Sequence, residues 1–346
     1  MFIVPTDIAL VSSFQCRRTA NSHLVAALLQ IDIFASPRPG ADDDKNSRFP
    51  LETLAALCHL EVVLHNAKFI DTRESAMSFA TTDLTPSIGT RVDADKAALL
   101  DGSLAATLRE LLESRGVLAF TRIAMTDEEQ RSFAHTLGTP TDQGERGLHK
   151  VSLDTNVTAT ARYLKGTLLW HFDGWNDPVP ARGTILTGRV LSQTGGQTEF
   201  SNTYAAYEEL PAATKERIAD LKVAHTMMGA QRGVHEVVTP EMEADWHSFH
   251  IHRHPLVWTH RSGRKSLLLG ASADWIEGMD RADSDALLAE LKDWASRPRF
   301  IYRHEWQVGD MIVWDNCGVL HRVQPYPADS GRVLHRVTLE GEEAIA

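Results

Sequence analysis

The feature that most constrains this chain is how its apolar residues are parcelled. Beyond Gly116 they come mainly as short runs: VLAFTRI, GTILTGRVL, GGQTEF, HPLVWTH, KSLLLG, FIYRHEW, GDMIVWDN and RVLHRVTLE. Each is too short to make a stable buried helix, and most are rich in β-branched and aromatic residues, as strands are. Glycine, proline, asparagine and aspartate punctuate them, so the chain turns back repeatedly. Many short strands of this kind imply a β-sandwich or jelly roll. Helical patterning is confined to a few segments. LAATLRELLESRG spaces Leu104, Leu108, Leu111 and Leu112 along one face and stops at Gly116. Thr126 and Glu129 form a capping box that opens DEEQRSFAHTLG. YAAYEELPAATKERIADLK reads as helical, and SDALLAELKDWASR as an amphipathic helix with Ser284 as its cap. The expectation is a mainly β protein with peripheral helices.

Residues 1–76 pattern differently. ASPRPGADDDKNSRF is a loop-like stretch rich in proline and aspartate, and the apolar segments around it have no evident partner. We read 1–76 as a poorly patterned extension, disordered or preceding a functional start at Met77, and 77–346 as the working domain. The chain has 346 residues, 43% of them hydrophobic, which is enough for a sizeable core. Its formal net charge of −11 argues against a nucleic-acid or anionic-membrane partner, both of which need a basic face. No apolar run spans a bilayer, and the N-terminus lacks the early positive charge and unbroken apolar core of a secretory signal. Cys16, Cys58 and Cys317 are scattered and odd in number, so neither a disulfide framework nor a CxxC site is implied. A cytoplasmic protein is expected, with a homo-oligomer left open.

Chemistry enters at LLWHFDGWND. His171 and Asp173 stand two apart in an apolar, aromatic run, and in a strand such residues share a face. A nitrogen and an oxygen aimed at one point suit a metal ion. His321 in WDNCGVLHR, just after an apolar strand, offers a third ligand from a distant segment. Two histidines and one carboxylate match the facial set of non-heme Fe(II) oxygenases, which leaves three positions open for a co-substrate and O2. An H-x-D pair is common by chance in a chain with 16 histidines, and the plain alternative is a satisfied core histidine. A second constellation decides between them. Arg332 and Arg336 follow in GRVLHRV. Inward-pointing arginines on a strand are costly unless each meets an anion, which arginine grips as a fork. The alternative pairs them with nearby acids such as Glu340 or Asp329.

These segments resemble the taurine/2,4-dichlorophenoxyacetate dioxygenase (TauD/TfdA) family across about residues 84–341. The resemblance lies in WHFD, GGQTEF, GRKSLLLGASADWIEGM, WQVGDMIVWDNCGVLHR and GRVLHRVTL, in that order. It implies a double-stranded β-helix, a cupin-like jelly roll. It also implies an Fe(II)- and 2-oxoglutarate-dependent dioxygenase that hydroxylates a small organic anion with O2 and releases succinate and CO2. Carboxylates, sulfonates and sulfate esters are the implied substrates, with C–O or C–S cleavage where the hydroxylated carbon bears a heteroatom. His171, Asp173 and His321 are the implied iron ligands. Arg332 and the Thr198 hydroxyl are the implied partners of the distal 2-oxoglutarate carboxylate, and Arg336 that of the substrate anion. Trp170 and Trp314 read either as walls of the site or as plain core. His149 and Tyr163 are candidates to face the substrate or to lie on the surface. Trp175, after the ligands, hints at a larger apolar or aromatic substrate.

Three rivals stand beside this. HSFHIHRH places His250, His252 and His254 on alternate positions, a set that could bind zinc. A non-catalytic β-helix binding protein would show a broken ligand set, and this one is complete. A desaturase or cyclase of the same family remains open, whereas halogenation is disfavoured because Asp173 fills the place a halide needs.

Overall fold

The computed structural model describes residues 79–142, 144 and 147–346. The readings made for residues 1–76 lie outside the described residues. Fifteen strands are seen among them: β1 Phe79–Asp83, β2 Thr90–Ala94, β3 Val117–Phe120, β4 His149–Val151, β5 Gly183–Val190, β6 Thr198–Asn202, β7 Lys222–His225, β8 His252–Pro255, β9 Val257–Thr259, β10 Lys265–Leu267, β11 Ala273–Ile276, β12 Ile301–His304, β13 Met311–Asp315, β14 Val319–Val323 and β15 Val333–Leu339. Seven of them lie side by side as β1-β2-β3-β13-β5-β15-β4. Strands β12-β6-β14 form a smaller antiparallel sheet. Strands β11-β7-β8 and β9-β10 form two more.

The two-residue period of a strand explains how the layers are filled. In β13 every residue is buried. Met311 and Val313 point to one face, where they meet Leu108, Leu112, Phe133 and Leu137 from the helices Ala105–Arg115 and Asp127–Leu137. Ile312 and Trp314 point to the other face and pack with Leu186 of β5, Leu334 of β15, Phe200 of β6 and Val319 of β14. The large and small sheets therefore share a core. A sandwich of two facing sheets with helices outside them matches the mainly β expectation. Among the described residues no helix is long and apolar enough to cross a membrane.

Helix Ala105–Arg115 stops where expected. Gly116 has φ 73° and its N–H donates to Leu112 O. A Cβ there would lie 2.8 Å from Val319 Cγ2, so glycine is needed for close approach as well as for the turn. The Thr126–Glu129 capping box is present, with both reciprocal bonds. The helical region after β6 divides into Thr203–Glu208 and Ala212–Ile218, with Pro211 at the break.

Three expectations need correction. Ser284 is not a cap. The helix runs Arg281–Ala295 and is capped by Asp280, whose carboxylate accepts from Ala282 N at 2.9 Å. Aspartate caps as well as serine and adds a charge favourable at a helix N-terminus, so the helix starts earlier. Ser284 is buried instead and accepts from Ile276 N at 2.7 Å. HPLVWTH is not one strand. It splits after Pro255, which has no N–H to continue a ladder, so β8 joins β7 while β9 joins β10. His321 does not follow a strand but lies within one, β14, set off from β13 by the turn 316–318.

Candidate active site

His171 belongs to no strand of its own. It forms an isolated antiparallel bridge with His321, each backbone N–H donating to the other's carbonyl at 3.0 and 2.8 Å. The two rings lie side by side with centroids 4.1 Å apart. Phe172 turns the opposite way and is buried in the core behind the small sheet. Asp173 then opens a turn, so strand periodicity is not what brings it to the same point. A turn with Gly174 at φ 81° does so. Asn316 clamps it. The Asn316 carboxamide accepts from Asp173 N at 2.9 Å and donates to Asp173 O at 2.5 Å and Ala181 O at 3.1 Å.

The result is a convergence of three donor atoms, all within 4.8 Å of one another. His171 Nε2 and His321 Nε2 lie 3.9 and 3.8 Å from Asp173 Oδ1, too far for a hydrogen bond. His171 Nδ1 lies 2.8 Å from Leu169 O and so carries the proton, which leaves Nε2 as a lone pair. Burial drives both imidazoles to lower pKa. For His321, His171 adds to that effect and the value falls to about 3. Both rings are thus neutral at physiological pH, the form that binds metal. Burial works against charge on Asp173, but His321, Arg336 and His171 outweigh it and hold the carboxyl below its ordinary value. Two neutral imidazoles and one ionised carboxylate fit a divalent ion that prefers mixed nitrogen and oxygen ligands.

Arg332 is 4% exposed. Among the described residues no carboxylate pairs with it, so the alternative of Asp329 or Glu340 fails. It donates to Gly196 O at 2.9 Å and lies 4.6 Å from the centroid of the Tyr326 ring. Burial lowers its pKa, with Tyr326 acting the other way. Thr198 lines the same cavity as Arg332, Tyr326 and the three donors. Its hydroxyl accepts from Trp306 Nε1 at 2.9 Å, and its own proton is left to donate. Arg336 also has neither expected acid partner. Its Nη1 lies 3.4 Å from Asp173 Oδ2, and its buried Nε has no partner.

His149 lies next to the site, beside Arg336. It is directly opposite Arg336 in the β4–β15 register. Burial, and then Arg336, lower its pKa, while Asp173 acts to raise it. Tyr163 donates to Asp245 Oδ2 at 3.0 Å and borders a second chamber that shares Thr167, His171 and Asp173 with the first. Trp175 and Met227 border that chamber too. Trp314 is a wall, 2% exposed, with its ring 4.7 Å from that of His321. Trp170 instead stacks under the Arg322 guanidinium.

The rival histidines do not converge. His250 is exposed in a loop, while His252 and His254 lie on β8 with rings 6.2 Å apart. His254 Nε2 is 2.8 Å from Trp175 O. Among the described residues, the cluster of metal-ligand spacing is His171, Asp173 and His321. Sequence reasoning assigned no role to Asn316, although the W-D-N run before His321 carried the signal. Tyr326 and Trp306 left no signal.

Comparisons with known proteins point the same way as this geometry. The family model described as taurine catabolism dioxygenase TauD, TfdA family, matches residues 80–338. An (S)-phenoxypropionate/alpha-ketoglutarate-dioxygenase of Sphingobium herbicidovorans is 31% identical over 278 residues, covering 77% of this chain and 96% of that protein. An alpha-ketoglutarate-dependent 2,4-dichlorophenoxyacetate dioxygenase of a Burkholderia species is 34% identical over 273 residues, covering 71% and 90%. The crystal structure of AAD-2 in complex with Mn(II) and N-oxalylglycine matches with a TM-score of 0.67 and 32% identity, covering 78% of this chain and all of that one.

Proposed function

The chain belongs to the taurine catabolism dioxygenase TauD, TfdA family, and on that premise we propose that it is an Fe(II)- and 2-oxoglutarate-dependent dioxygenase hydroxylating a small organic anion. We read its two facing sheets as the double-stranded β-helix of the cupin-like jelly roll. The observation that carries the proposal is one cavity holding both the converging donors of His171, Asp173 and His321 and the acid-free, buried Arg332.

His171 Nε2, one Asp173 oxygen and His321 Nε2 would hold the iron. Iron with 2-oxoglutarate and O2 supplies the oxidising chemistry, giving succinate, CO2 and a hydroxylated substrate. The protein's part is binding, orientation and exclusion of water. Arg332 and the Thr198 hydroxyl take the distal carboxylate of 2-oxoglutarate, the anion Arg332 otherwise lacks. Arg336, with its unpartnered Nε and with His149 opposite, takes the substrate anion. Val151, Leu164, Leu186 and Leu334 give the cavity apolar walls against which the substrate carbon is held. The adjoining chamber, bordered by Tyr163, Trp175 and Met227, suits an aromatic or extended apolar body. Where the hydroxylated carbon also bears oxygen or sulfur, the product collapses and that bond breaks.

The test is iron-dependent succinate formation across a panel of aryloxy carboxylates, sulfonates and alkyl sulfates. Stimulation by one class is expected. No succinate from any, with iron and ascorbate supplied, refutes the proposal. With the stimulating substrate in hand, Arg336→Ala should cut substrate-stimulated turnover by about tenfold or more, the worth of a charge-assisted hydrogen bond. Basal 2-oxoglutarate decay should fall much less, and equal loss of both would remove Arg336 from the substrate side.

A further inference from the structure

The turn 316–318 between β13 and β14 is held from two sides. On its inner side Asn316 clamps the backbone of Asp173, and β14 carries His321 onward to its bridge with His171. On its outer side lies a buried polar cluster that the reaction does not use. Asp315, 8% exposed, accepts from Cys317 N at 2.9 Å through Oδ1 and from the Tyr204 hydroxyl at 3.1 Å through Oδ2. The Tyr204 ring lies hard against the turn, since a Cβ on Gly318 would fall 1.7 Å from its Cε2. Thr203 donates to Gly318 O through both its N–H and its hydroxyl, and Ser266 donates to Cys317 O. One turn thus ties an outer carboxylate–phenol pair to two of the three proposed ligands.

We propose that Asp315 and Tyr204 act as positioning residues for the metal centre, fixing through this turn the placement of Asn316 and His321 and so setting metal affinity. The inference rests on the metal-site reading above. Ionised Asp315 holds the Cys317 N–H and the Tyr204 hydroxyl by charge-assisted bonds, and these weaken when it takes up a proton. Burial raises its pKa to about 6, with the Cys317 N–H, Tyr204, Arg182 and Arg264 acting to lower it. The other titratable groups of this cluster are His260, whose ring packs on Tyr204, Glu343 beside His260, and Cys317, whose thiol is pushed up by burial and then by Asp315. The hold on the turn is therefore half lost at about pH 6, strengthening above it and relaxing below.

The experiment is titration of the full-length chain with Mn(II), an oxygen-stable probe, by calorimetry from pH 5 to pH 8. Asp315→Asn mimics the neutral acid at every pH. Its Kd should exceed the wild-type value several-fold at pH 8, up to the roughly tenfold cost of losing a direct partner of a metal ligand, and match it at pH 5. Taking the ratio cancels the pH dependence of the ligands, which both proteins share. A buried carboxylate of raised pKa contributes its stability at low pH and loses it as pH rises through the folded value. Asp315→Asn should accordingly gain in Tm over wild type from pH 5 to pH 8, which also reports that it is folded. Tyr204→Phe removes a single hydroxyl and keeps the ring on Gly318, so it tests the same pair should the asparagine variant misfold. It should weaken Mn(II) at pH 8 by several-fold up to about tenfold. A ratio independent of pH for Asp315→Asn, or wild-type affinity in Tyr204→Phe, overturns this inference alone. Failure of the wild-type protein to bind Mn(II) overturns the proposed function as well.

Discussion

Asp173→Ala is expected to reduce iron-dependent succinate formation to background while leaving a folded protein. The two expectations have separate causes. Truncation removes the sole carboxylate of the converging set, and two neutral imidazoles alone would neither offset a divalent charge nor supply a third donor. The backbone at 173, however, is held by Asn316 through its N–H and carbonyl, and neither bond involves the side chain that is lost. The local turn should therefore survive. The main structural loss is a partner for Arg336 across 3.4 Å at a partly exposed site, worth roughly 1 kcal/mol or less. Far-UV circular dichroism and Tm should stay near wild type while calorimetric metal binding is lost. Turnover that persists in this variant would remove Asp173 from the ligand set, and a parallel His171→Ala would show whether the imidazoles behave alike.

Arg332→Ala should act on a different quantity. We expect its KM for 2-oxoglutarate to rise about thirty- to a hundredfold, corresponding to the roughly 2–3 kcal/mol carried by hydrogen bonds to a charged group. Iron binding should change little, because Arg332 forms no hydrogen bond or ion pair with the three donors and is anchored instead to Gly196 O and the Tyr326 ring. Arg332→Lys is informative because it retains charge but loses both the fork and the stacking surface. It should fall between wild type and alanine. The neighbouring backbone is tight, since a Cβ on Gly196 would lie 2.9 Å from Arg332 Nε. A shorter, more mobile ammonium therefore has no prearranged place to sit. Unchanged 2-oxoglutarate kinetics in the alanine variant would refute the clamp.

Most of the fold was legible because the relevant signals are local. GDMIVWDN, GTILTGRVL and RVLHRVTLE each became a strand, for the apolar period and the turn residues around it are written in consecutive positions. What escaped was set by tertiary context. His149–Val151 is a three-residue edge strand, too short to show a period, and only its pairing with β15 brings His149 opposite Arg336. The convergence of His171 and Asp173 was anticipated for the wrong reason, since it depends on a long-range bridge and a glycine turn that no strand pattern encodes. The histidines of HSFHIHRH show the reverse error. Their alternation is plain in sequence, yet His250 falls outside the strand and His254 is taken by the Trp175 carbonyl. Arg332 was legible because a buried cation demands a partner wherever it lies, whereas Tyr326 beside it could be found only in three dimensions.

The main-chain bridge between His171 and His321 also bears on how the site comes into being. His321 is presented by β14, but His171 has no strand of its own and is fixed by the peptide group of His321. Closing that bridge means closing the long loop of chain between them, an entropic cost met only once the intervening strands have paired. A partly folded chain would then hold no site to occupy, and metal would bind the finished fold and little else. An ion held at a hundred times its Kd would add about 2.7 kcal/mol to the stability of that fold. In such a molecule a bound ion would act as a late lock on the whole sandwich, and chelation should lower the stability of the whole fold rather than loosen one corner.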